Sequence, residues 1–127
     1  MKLWVDDVNP APEGYVWAKS VNEAISWIVA SIEKVNNALT YSRSDGVVRN
    51  FVPREEFLKQ AARWQITLID IDDNAGDFVK DGGHYIRLLD WLEERGLAYP
   101  IRIHTADLMN KDFMRMILIR NGWNEVC

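Results

Sequence analysis

The sequence predicts an α/β protein built on a parallel sheet flanked by helices, and three observations carry that reading. Short apolar runs end abruptly in polar groups: Leu3–Val5 at Asp6-Asp7, Ile66–Ile69 at Asp70-Ile71-Asp72-Asp73, and Ile101–Ile103 at His104-Thr105-Ala106. Stretches of helical periodicity separate these runs, the alternation expected of strand–helix–strand units. A chain of 127 residues, 48% hydrophobic with six Trp, is long enough to bury a core. The chain reads as one domain over 1–127. In an open sheet of this kind ligands bind beyond the carboxyl ends of the strands, where these acids, histidine and hydroxyl are placed.

Leu3–Val5 is the first strand, and Pro10 and Pro12 exclude a helix directly after it. Gly14–Ala18 reads as the second strand. Ser20 followed by Glu23 has capping-box spacing, and Val21, Ala24, Ile25, Ile28, Val29, Ile32 and Val35 keep helical spacing to about Asn37. Leu39–Tyr41 and Val47–Phe51 flank an Asp45-Gly46 turn signal, which predicts a hairpin. Pro53 opens a helix to about Arg63. The stretch 38–64 therefore reads as a hairpin-plus-helix insertion. Ile66–Ile69 is a buried strand. A loop from Asp72 to Gly83 leads to a helix with Ile86, Leu88, Leu89, Trp91 and Leu92 inward, ending near Gly96. Pro100–Ile103 is the next strand, Asp112–Asn121 a helix closed by Gly122, and Trp123–Val126 a last short strand.

A net charge of −4 argues against generic nucleic-acid binding or attraction to an anionic membrane, though a bound divalent cation can reverse the local sign for a phosphate ligand. The single cysteine, Cys127, can build no disulfide framework or zinc cluster, and the default expectation is cytoplasmic. The opening Met1–Asp6 meets acids too early for a signal peptide, and Ala24–Ile32 is too short to span a bilayer.

The Asp6-Asp7, Asp70 and Thr105-Ala106 positions resemble the acidic-site layout of response-regulator receiver domains, which are flavodoxin-like with strand order 2-1-3-4-5. More specifically, several segments together resemble the cyclic-phosphate-processing receiver family. They are Leu3–Asp7 with a following proline, Trp17–Ser20 running into Glu23-Ala24, Asp70 with Asp72, Trp91-Leu92, His104–Ala106 and Arg120–Trp123. That family lacks the usual receiver helix between the first two strands, which suits the prolines. This chain departs from the family's pattern at Ile71, where a histidine is usual, at Asp107-Leu108, where Asn-Pro is usual, and at Asn9, where an arginine is usual. It also lacks the terminal lysine of phosphorelay receivers.

Carboxylates of Asp6, Asp7 and Asp70 brought to one edge would repel, by about 4 kcal/mol at 4 Å and an effective dielectric near 20. Such a group must bind a cation, share protons or splay apart. Oxygen ligands suit Mg²⁺ or Mn²⁺ completed by a substrate phosphate. Asp72 can add a ligand or position water, His104 can serve as general acid or base, and Thr105 and Lys19 can contact phosphate. The resemblance implies a small phosphate-containing ligand, first a cyclic nucleotide or cyclic phosphate, and a metal-dependent phosphoesterase activity. The alternative is a catalytically degenerate receiver-like module that binds a nucleotide signal or a protein partner. Turn capping by the aspartates is the bland reading of the same residues. Trp17, Trp27, Trp91 and Trp123, and Met109, Met114 and Met116, read as packing residues.

Overall fold

The computed structural model describes residues 1–43 and 54–127, with side chains described outside 41–54. The elements are β1 (Lys2–Val5), β2 (Tyr15–Ala18), α1 (Val21–Arg43), α2 (Arg54–Trp64), β3 (Leu68–Ile71), α3 (Ile86–Arg95), β4 (Ile101–Ile103) and α4 (Leu108–Asn121), with a short 3-10 turn at Gly76–Phe78. The four strands are all parallel and run in the order β2-β1-β3-β4. The architecture is α/β, a parallel sheet flanked by helices and consistent with a flavodoxin-like fold. The expected last strand is a single bridge between Glu125 and Ile101, held by hydrogen bonds from Ile101 N–H to Asn124 (2.9 Å) and from Val126 N–H to Ile101 (2.7 Å).

The chain divides into two compact units, Met1–Ser26 with Ile66–Cys127, and Trp27–Gln65. The first contains the whole sheet. Side chains alternate across a strand, so one sheet face carries Leu3, Val5, Ile69, Ile71, Ile101 and Ile103. All six are buried, as are Leu88, Leu89 and Leu92 of α3 and Met114, Ile117 and Leu118 of α4. At roughly 25 cal/mol per Å² of apolar area removed from water, this layer is the main stabilising element of the unit. The opposite face carries Trp4, Asp70 and Arg102 in one row, because the register aligns Trp4 with Asp70 and Asp70 with Arg102.

Local signals end most of the helices. Ser20 Oγ accepts the N–H of Glu23 at 3.0 Å, as its position before α1 predicts. Gly96 and Gly122 close α3 and α4 in the left-handed conformation. α4 starts four residues earlier than Asp112, because Asp107 Oδ1 accepts the N–H groups of Met109 and Asn110, both at 3.1 Å.

Two expectations are corrected. Leu39–Tyr41 is not a hairpin arm: α1 continues through it to Arg43, Ala38 is buried in its course, and Thr40 Oγ1 bonds back to Asn36 O at 2.8 Å within the helix. The rest of the expected hairpin, Asp45-Gly46 and Val47–Phe51, lies outside the described residues. The β3 strand sits two residues later than Ile66–Ile69, so Asp70 lies within the strand rather than beyond it. A carboxylate is tolerated there because Arg102 and His104 pair with it. In the second unit, Lys34 Nζ lies 5.5 Å over the Trp64 ring. No described helix is long and apolar enough to cross a membrane.

Candidate functional site

The site is the continuation of the Trp4–Asp70–Arg102 row. Two residues further along each strand come Asp6, Asp72 and His104, returned by the pleat to the same sheet face. Their backbones stay in the ladder just past the strand ends. Asp6 N–H donates to Ala18 O (3.2 Å), Asp72 N–H to Val5 O (2.9 Å) and His104 N–H to Ile71 O (2.9 Å). The register therefore fixes three chemically active side chains side by side. One ligand atom from each of the three lies within 4.8 Å of the others, a spacing that could hold a metal ion.

His104 is clasped on both ring nitrogens. Nδ1 lies 2.6 Å from Asp70 Oδ1 and Nε2 lies 2.9 Å from Asp6 Oδ2. Burial alone would favour the neutral ring, but the hydrogen bonds to Asp70 and Asp6 outweigh it and hold the pKa above the usual 6.5. A carboxylate at each nitrogen favours the doubly protonated ring, which can donate from both. The Trp4 ring lies flat on this imidazole, with centroids 3.9 Å apart and planes 5° from parallel. Arg102 Nη1 completes the neutralisation of Asp70 at 3.3 Å.

Asp6 is fully buried and fully engaged. Its Oδ1 accepts the N–H groups of Val8 (2.9 Å) and Asn9 (2.8 Å), and the Asn9 amide reaches Oδ2 at 3.2 Å. Burial would raise its pKa, yet these backbone donors and His104 hold it below the usual 3.8. The same turn lets Trp4 Nε1 donate to Asn9 O at 2.9 Å. Asp72 behaves in the opposite way. Burial, with the negative charges of Asp6 and Asp73 nearby, pushes its pKa up to about 6. Asp73 stays below the usual value, because donors from Thr105 and Asn110 outweigh its burial.

The sequence reading grouped Asp6, Asp7 and Asp70 as ligands; the structure groups Asp6, Asp72 and His104. Asp70 stands one step behind, on the far nitrogen of His104. Asp7, of opposite parity, turns toward Gly76, where an added Cβ would overlap its Oδ2. Thr105 Oγ1 donates to Asp73 Oδ1 at 2.7 Å and accepts the Asp107 N–H at 3.1 Å. Lys19 Nζ sits 4.5 Å over the Trp17 ring, and Trp17 Nε1 donates to Asp6 O at 2.8 Å; Lys19 follows directly on the end of β2, the strand beside β1. Tyr85, fully buried, holds this strand end by donating to Lys19 O at 2.7 Å.

Comparison with protein-family models, with curated proteins and with solved structures finds no match.

Trp4, Arg102 and Asn110 take part although the sequence reading did not single them out, and Asp73, which it offered as a further ligand or water-positioning group, is instead bonded to Thr105 and Asn110. Trp4 and Arg102 were legible: strict alternation puts residues 4 and 6, 70 and 72, and 102 and 104 on one face. Asn110 was not, because its role depends on α4 beginning at Leu108.

Proposed function

We propose that Asp6, Asp72 and His104 hold a divalent cation and that the protein binds, and hydrolyses, a phosphate ester at it. The observation that carries the reading is the convergence of Asp6, Asp72 and His104, with Asp70 on the other nitrogen of the imidazole. A carboxylate that receives Nδ1–H fixes the ring's tautomer and turns Nε2 toward a cation, the usual support for a metal-bound histidine. An imidazole nitrogen among the ligands favours Mn²⁺ over Mg²⁺. The charge balance agrees: Asp6, Asp70, Asp72 and Asp73 outnumber His104 and Arg102, which leaves room for added positive charge.

The cation would polarise a phosphoryl oxygen and lower the pKa of a bound water. Asp6 and Asp72 would anchor it, and His104 would give up its Nε2 proton on binding. Asp70 and Arg102 would keep the ring oriented, and Lys19 would meet phosphate oxygens as a point charge. Thr105 would join them only by exchanging its bond to Asp73. The resemblance to the cyclic-phosphate-processing receiver family makes cyclic nucleotides and cyclic phosphates the first esters to try.

A second reading is favoured by one observation. The His104–Asp6–Asp70–Arg102 network is complete without a cation, and among the described residues no buried side-chain nitrogen or oxygen lacks a partner. A catalytically silent module that binds a signal or a protein partner would be built this way.

Calorimetric titration with Mn²⁺ and Mg²⁺, followed by a turnover screen of cyclic nucleotides, separates the two. The metal reading expects one Mn²⁺ per chain, with affinity reduced at least about tenfold in Asp72→Asn. Absence of Mn²⁺ binding in the wild type removes it. Mn²⁺ binding without turnover leaves the silent module.

A further inference from the structure

We propose that the groove between α3 and α4 receives a planar, hydrogen-bonding aromatic ring, a nucleobase, belonging to the ligand whose phosphate meets the acidic site. The proposal rests on the phosphate-ester reading above and names which class of ester fits this chain. The groove has a volume of about 480 Å³ and is lined by Ile86 and Asp90 of α3, by Asn110, Phe113 and Met116 of α4, and by His84. That volume lies within the range of about 300–1,000 Å³ typical of small-ligand pockets.

Its walls are apolar where a ring would lie. Phe113 and Met116 are 53% and 62% exposed, so the expectation that Met116 fills the core is corrected, as it is for Met109 at 69%. Large apolar side chains held open to water at a groove are stabilised by an occupant. A phenyl ring and a thioether are favourable neighbours for a flat π-system, by stacking and by sulfur–aromatic contact.

The polar groups around this floor are of both kinds. Asn110 commits its amide nitrogen to Asp73 (2.7 Å) and Asp107 (3.3 Å), which leaves its carbonyl oxygen to accept. His84 Nδ1 accepts the Ala75 N–H at 3.2 Å, so the ring proton lies on Nε2 and can donate. Asp90 adds a carboxylate acceptor. These donors and acceptors, with Asp73, Asn74 and Arg120 also lining the groove, stand beside an apolar wall and complement the edge of a base carrying ring nitrogens and an exocyclic amino group. A docking helix would need no such polar set.

The groove also touches the acidic site. Asp73 lines it, follows Asp72 directly, and joins Thr105 to Asn110 through its two carboxylate oxygens. A ligand seated against Phe113 therefore has Asp73, the residue next to Asp72, at the groove's edge.

The test has two arms. In the first, Met-methyl and Phe resonances are followed while adenosine or cytidine is added without metal. Shifts confined to Met116, Phe113 and their groove neighbours are expected. In the second, calorimetry with Mn²⁺ present compares adenosine and cytidine monophosphates with ribose 5-phosphate. The nucleotides should bind about tenfold more tightly, the value of one stacked base. Phe113→Ala, at a half-exposed position that leaves the fold intact, should erase that advantage without changing Mn²⁺ affinity. Mn²⁺ binding with unmoved groove resonances, or an undiminished preference in Phe113→Ala, overturns the groove assignment and leaves the cation site standing. Nucleoside shifts without Mn²⁺ binding support the groove and remove the cation site instead. Groove resonances that move with protein concentration, with a dimer in ultracentrifugation, overturn the proposal in favour of a second copy of the chain.

Discussion

Asp70 and His104, thirty-four residues apart, meet at 2.6 Å between Oδ1 and Nδ1, and this contact decides the state of the imidazole. Its second nitrogen faces Asp6 at 2.9 Å, so a neutral ring would leave one carboxylate facing a lone pair. The pair favours the protonated form of His104. Nitrogen-15 spectra at pH 7 should show both ring nitrogens protonated. Asp70→Asn should lower the His104 pKa, because it removes a charge-assisted hydrogen bond to the ring. A neutral His104 at pH 7 in the wild-type protein would contradict the assignment.

Trp4 supports the same charge from the ring face. Parallel stacking at 3.9 Å puts the imidazolium over the negative face of the indole. Trp4→Leu keeps much of the apolar cover and removes that face. It should lower the His104 pKa, because about 0.5–1 kcal/mol of cation–π attraction is lost. An unchanged titration curve would show that the stack is only packing.

Gly76 permits the position of Asp7. Its φ is +53°, and an added Cβ would overlap the Asp7 carboxylate. Gly76→Ala should cost about 1–3 kcal/mol, from the left-handed backbone and the displaced carboxylate together. In denaturant titrations the cost should shrink when Asp7→Ala is also present, because the collision term disappears while the backbone term remains. Equal costs in both backgrounds would mean that Asp7 does not crowd this turn.

Much of this arrangement was legible in the sequence. Apolar runs ending in acids and a histidine fixed the parallel sheet, and the segments carrying Asp6, Asp70, Asp72, His104 and Thr105 do adjoin. The finer geometry turned on strand parity. With β3 at Leu68–Ile71, Asp70 falls inside the sheet and Asp72 at its edge, a two-residue shift that preserves the face but exchanges the roles. An apolar count could not place that boundary, because a paired carboxylate inside a strand breaks the apolar pattern without breaking the strand. Leu39–Tyr41 misled for a related reason. A β-branched and aromatic run beside Asp-Gly resembles a hairpin arm, but α1 was already propagating, and extending a helix is easier than nucleating a new element. The exposed Met109 and Met116 reflect a helix apolar around most of its circumference, whose inward side only tertiary packing selects.

The acidity of the site yields a pH dependence with a definite sign. Asp72 binds its proton more tightly when folded, with a pKa of about 6 against the usual 3.8, so its contribution is full below about 3.8 and is lost as pH rises through 6. His104, raised from 6.5, contributes fully below that value and loses its contribution as pH rises through the folded pKa. Asp6 and Asp73, both held low, act oppositely: their stabilisation is present above about 3.8 and fades as pH falls through their folded values. Metal-free protein should therefore be most stable around pH 4–5, and its melting temperature should decline from there toward pH 8. Mn²⁺ should reverse that decline, because binding requires Asp72 ionised and Nε2 of His104 bare. Its affinity should rise about a hundredfold per pH unit below pH 6, where two protons must leave, and about tenfold per unit above it while His104 still holds its proton. Melting curves from pH 4 to 8, with and without Mn²⁺, read both trends. A metal-free melting temperature that climbs steadily to pH 8 would show that Asp72 and His104 are not held in their protonated forms by the fold.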